Sequence, residues 1–126
     1  MQNVAATNNS VVQQRRFVSH DLRGRLVRRG YYDAQLLLHG RECHWDDFGC
    51  MVRTIEWRHG TRHGDTVTYN STGQKIYVAQ WTEGRLQSIT RFDTATAQPI
   101  FSHQCHPQDG GSTEPRLPVF LRLAAV

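Results

Sequence analysis

At 126 residues, 38% of them hydrophobic and 21% charged, the chain has room for one domain with one modest core, a composition suited to a sheet with a covered face. No run approaches the ~20 apolar residues that crossing a bilayer requires, and the opening "MQNVAATNNSVVQQRR" starts in amides and ends in charge, unlike a secretory leader. The net charge is +4, and three cysteines (Cys43, Cys50 and Cys105), odd in number and irregular in spacing, point to a reducing compartment, cytoplasm or nucleus, instead of a disulfide framework.

Residues 1–14 are rich in amides and hydroxyls and poor in anything to bury, which predicts a flexible arm. A basic stripe follows. Six of the fourteen arginines (Arg15, Arg16, Arg23, Arg25, Arg28 and Arg29) crowd into 15–29 against Asp21 alone. Arginine presents a planar, permanently charged fork, so these six are the candidate contacts for nucleic acid or an acidic partner; the plain alternative is a solvated face. If this segment is a strand, alternation places Arg23, Arg25 and Arg29 on one side and Arg28 on the other.

Next comes internal repetition. Gly40 to Gly64, Trp45 to Tyr69, Gly49 to Gly73, Trp57 to Trp81 and Gly60 to Gly84 all share a 24-residue offset. A third, decayed copy has Ser88 and Ala97 at its glycine positions, and "RGRLVRRGYYDAQLLLHG" upstream reads as a divergent or capping unit. Within each copy, "DTVTYN" and "KIYVAQW" alternate in polarity and favour β-branched and aromatic residues, while "DDFG", "NSTG" and "TEG" supply turns. The expectation is a mostly β protein, an antiparallel meander of β-hairpins over 15–106. Its glycines are structural first, and Trp45, Trp57, Tyr69 and Trp81 recur on corresponding faces as a stacked aromatic spine of surface and core.

"GTRHGDTVTYNSTG", with its flanking "WRHG" and "WTEG", resembles the MORN repeat: an aromatic, a short gap to Gly, a basic-x-His-Gly-like step, a second aromatic and a turn Gly. The likeness is best over 57–84, moderate over 37–56 and weak over 85–108. Thr66 stands where a second glycine normally follows the His-Gly step, and Leu36 replaces a glycine ahead of Gly40, which is similar to divergent copies in small antitoxin-like and large DNA virus proteins. The resemblance implies an elongated hairpin sheet used for binding or assembly.

Catalytic chemistry finds little support. Asp46 and Asp47 are adjacent and diverge on a strand or turn, and no phosphate loop, nucleophile elbow or zinc-protease helix occurs. Cys43, His44, Cys50, His59, His63, His103, Cys105 and His106 supply zinc-ligand types, but Cys43 and Cys50 are seven apart and His59 and His63 fall at a glycine-bounded turn. No catalytic residue, cofactor or metal is therefore expected; His39 and His63 read as repeat-equivalent turn residues. A turn-rich linker over 107–118 leads to the apolar "VFLRLAAV" at 119–126, read as a docking segment. The expected function is a non-enzymatic binding or assembly module whose partner is another protein or a second copy; the alternative is an arginine-rich RNA- or DNA-binding protein with aromatic stacking.

Overall fold

The computed structural model describes residues 14–105; residues 1–13 of the expected 1–14 arm and the segments 107–118 and 119–126 lie outside the described residues. Eight strands run in chain order through one sheet: β1 (Arg15–His20), β2 (Leu26–Tyr32), β3 (Gly40–Trp45), β4 (Met51–Arg58), β5 (Thr61–Tyr69), β6 (Lys75–Thr82), β7 (Arg85–Phe92) and β8 (Pro99–Gln104). Each pairs antiparallel with its sequence neighbours, so the expected meander is present, and no helix occurs among the described residues. Strands β4, β6 and β8 open at 51, 75 and 99, and β5 and β7 at 61 and 85, all on a 24-residue interval.

Turn chemistry explains this regularity. Asp21, Asp33, Asp46 and Asn70 each accept, through Oδ1, the backbone N–H groups of the residues two and four further on. These Asx turns place the fourth residue in the left-handed region, which Gly24, Gly49 and Gly73 adopt without strain and Leu36 adopts at φ 66°. Two other hairpins close through two residues each, His59-Gly60 and Glu83-Gly84, with φ positive at all four positions as a type I′ turn requires. Asp33, by contrast, sits in the connection between β2 and β3, where the backbone ladder is short: Arg28 faces His44, Arg29 faces Cys43, and Tyr32 bridges Leu38.

Cross-strand partners share a face of the sheet, so the register defines two neighbouring rows on opposite sides. Glu42, Ile55, Thr66, Ala79 and Ile89 form one; Cys43, Thr54, Val67, Val78 and Thr90 form the other. The first row is buried throughout, as are Cys43, Thr54 and Val67 of the second. A single sheet can bury its midline only beneath its own larger side chains. Tyr77, Trp81 and Cys105 pack on the cluster of Ala79, Leu86 and Ile89.

Trp45, Trp57, Tyr69 and Trp81 are half-buried, and the fully buried positions belong to smaller residues. For the three tryptophans the physical reason is interleaving with arginine. The guanidinium of Arg62 lies 5.8 Å from the ring of Trp57 and 4.9 Å from that of Trp81, and that of Arg29 lies 5.3 Å from the ring of Trp45. These cation–π contacts let a large aromatic remain near solvent with one ring face covered.

Candidate functional site

The six arginines of the basic stripe do not act as a unit. Strand β2 begins at Leu26, so Arg23 and Arg25 lie in the preceding turn and not on the strand face that alternation assigned them. Arg25 is bound to Asp21 at 2.8 Å and donates to the Asp47 carbonyl. Arg28 and Arg29 point to opposite sides: Arg28 stacks over Phe17 and donates to Glu42, whereas Arg29 covers Trp45. Arg15 and Arg16, on the edge strand β1, are exposed together with Arg23. Half of the stripe is thus engaged in holding the sheet together, through separations of up to 22 residues that no local pattern displays.

Arg28 leads to a buried carboxylate. Glu42 accepts from Arg28 Nε at 2.5 Å, from His44 Nε2 at 2.7 Å and from Trp57 Nε1 at 2.8 Å. Gly30 lies beside it because a Cβ there would meet the ring of Phe17 at 2.6 Å and Glu42 Cγ at 3.4 Å. Burial alone would push the Glu42 carboxyl up, but the hydrogen bonds from His44 and Arg28, with the charge of both, hold it down at about 2. One repeat later, Thr66 replaces Glu42 and Trp81 replaces Trp57, and neither Thr66 Oγ1 nor Trp81 Nε1 has a partner among the described residues. The pattern of residues repeats; the polar network does not.

Histidines gather at the opposite end of the sheet from the Asp46 and Asn70 turns. The fully buried Asp33 holds His59 Nδ1 at 2.6 Å, and this bond, with the N–H groups of Leu37 and Gln35, keeps its carboxyl below the ordinary range. The ring of His39 lies 4.3 Å from that of His59, and its Nδ1 accepts the His59 backbone N–H at 3.1 Å. Gly60 N–H donates to the Leu38 carbonyl at 2.7 Å. The same clamp recurs 24 residues on: Glu83 N–H donates to His63 Nδ1 at 3.1 Å, and Gly84 N–H to the Arg62 carbonyl at 2.8 Å. His39, just ahead of β3, and His63, on β5, therefore tie the two-residue turns after β4 and β6 to the segment one strand further back.

Asp33, His39 and His59 have the ligand types and proximity for a metal ion, a trio that the sequence spacing did not suggest. Their bonding works against that use. Asp33 already accepts two backbone N–H groups on Oδ1 and His59 on Oδ2, and His39 cannot offer Nε2 as a ligand while its Nδ1 accepts from His59 N–H, because a neutral ring has only one unprotonated nitrogen. His59 Nε2 is left as a single lone pair, short of the three protein ligands typical even of an open zinc site. Cys43, Cys50 and Cys105 form no disulfide among the described residues, and Cys43 is buried.

Beside this cluster lies an open depression lined by His39, Arg41, Glu56, Trp57, Arg58 and His63. Arg41 is paired with Glu56 at 3.1 Å, and Glu56 also accepts the Asp65 N–H at 2.9 Å. Of these lining residues the sequence pattern marks Trp57 as an aromatic and His39 and His63 as turn residues; the two arginines, Arg41 on β3 and Arg58 on β4, lie outside the basic stripe. No family model, curated protein or solved structure matches the chain.

Proposed function

We propose that the chain is a divergent MORN-type hairpin module that acts without catalysis, presenting its sheet to a protein partner or to a second copy of itself. The observation that carries this reading is the edge strand β8. All six of its residues are exposed, with Ile100 at 56% and Phe101 at 43%, and among the described residues nothing pairs with its outer edge. An unpaired edge bearing apolar side chains offers both backbone hydrogen bonds and burial to an incoming strand.

Sedimentation velocity across a range of concentrations tests it. The wild type should gain mass with concentration, and Ile100→Lys combined with Phe101→Lys should abolish the gain. A wild type that stays monomeric throughout removes self-association, leaving the module to a different protein partner. The second reading, nucleic-acid binding, draws on the exposure of Arg15, Arg16 and Arg23. Its test is salt: log affinity for duplex DNA should fall with log salt by about 0.9 per phosphate contact, and no binding at low salt discards it.

A further inference from the structure

His63 makes two contacts that a neutral imidazole cannot satisfy together. Its Nδ1 lies 3.1 Å from the Glu83 backbone nitrogen, and its Nε2 lies 3.4 Å from Nη1 of Arg58. A neutral ring has one acceptor nitrogen and one N–H, and a guanidinium only donates. The turn decides the tautomer. The Glu83 bond is the shorter, it stands beside the Gly84 N–H bond to Arg62, and the same arrangement joins His59 to His39. The proton consequently sits on Nε2, so His63 Nε2–H and Arg58 Nη1–H are two donors side by side. The nearby carboxylate of Glu83 stands 4.0 Å from Arg58 Nη1, beyond hydrogen-bond reach.

We propose that Arg58 and His63 form a binding site for a carboxylate carried by an acidic peptide segment, one carboxylate taking both donors. The surrounding charges favour that ligand over phosphate. Arg41 is held by Glu56 at 3.1 Å, whereas Arg58 is paired with Glu83 only at 4.0 Å between two exposed side chains, so Arg58 is the more loosely held of the two cations and the one that can turn to an incoming charge. A phosphate dianion would add two negative charges next to Glu56 and Glu83; a single carboxylate adds one, and it finds a charge-assisted hydrogen bond ready. Trp57 lines the same depression and supplies apolar surface for the methylenes of an Asp or Glu side chain. The site rests on the reading of the chain as a protein-binding module and gives its partner a chemistry.

The experiment is an NMR titration of the labelled protein with a short oligoglutamate peptide, run in parallel with inorganic phosphate and a single-stranded oligonucleotide. The peptide should shift the His63 ring and Arg58 side-chain signals saturably. Arg58→Gln should weaken it about tenfold, the loss of one charge-assisted bond. His63→Asn, whose side-chain oxygen can still accept the Glu83 N–H while the Nε2–H is gone, should weaken it by a similar factor with the melting temperature unchanged. Absence of peptide binding, binding indifferent to both substitutions, or phosphate or oligonucleotide binding with the same dependence on Arg58 and His63 would each overturn the proposal. Self-association through β8 is read separately by sedimentation, so an inert depression with intact self-association defeats this site alone.

Discussion

The carboxylate of Glu42 stays ionised inside the sheet because three donors converge on it: Arg28, His44 and Trp57. Its pKa falls from an ordinary 4.5 to about 2, so its contribution to stability is fully present above pH 4.5 and is lost as pH falls toward 2. That contribution is on the order of 3 kcal/mol. Glu42→Gln should therefore lower stability at neutral pH by about 2–3 kcal/mol, since the charge facing Arg28 disappears. Urea melts from pH 7 down to pH 2 check both parts: the variant should lose less stability than the wild type between pH 4.5 and 2. Nothing in the sequence marked Glu42, because its partners Arg28 and Trp57 are 14 and 15 residues away and meet it only through strand register.

At the level of the elements, each turn can be read from its residues, and the glycines divide by cause. Gly73 has φ 87° with open space around it, whereas Gly64 has φ 108° and a Cβ there would collide with Glu56. Gly73→Ala should cost about 1 kcal/mol from backbone strain alone. Gly64→Ala adds displacement of a carboxylate bonded to Arg41 and should cost roughly 2–4 kcal/mol. Thermal denaturation of the pair separates the two causes, and equal losses would contradict the crowding at Gly64. Ala97 offers the reverse experiment: it adopts φ 62° in the turn before β8, 24 residues after Gly73 and 48 after Gly49. Ala97→Gly should stabilise by about 0.5–1 kcal/mol, left-handed strain relieved less the entropy of glycine, measured in the same melts. The turns were legible because an Asx turn and a type I′ turn are local chemistry. The depression holding Arg58 and His63 was not, because the Glu83 N–H that sets the His63 tautomer is 20 residues further along the chain.

Taken as a whole, the molecule is a ladder whose rungs differ in strength. Strands β4 and β5 share five backbone pairings and β5 and β6 share six, but β2 and β3 share two, supplemented by Arg28 on Glu42, Arg29 on Trp45 and one isolated bridge. Hydrogen exchange should find the amides of β1 and β2 opening at lower free energy than those of β4 to β6, with the gap widened by Glu42→Gln; uniform protection from β1 to β7 would show that the side-chain links compensate fully. The sequence by itself determined the all-β class, the alternation of strands and turns and the 24-residue interval of strand starts, since side-chain periodicity and turn preference act over a few residues. Only the tertiary structure decided which arginines are engaged inside the sheet, which histidine nitrogen carries a proton, and which carboxylates face them. Those outcomes depend on register across strands, and a shift of one residue in register would send every one of these side chains to the other face.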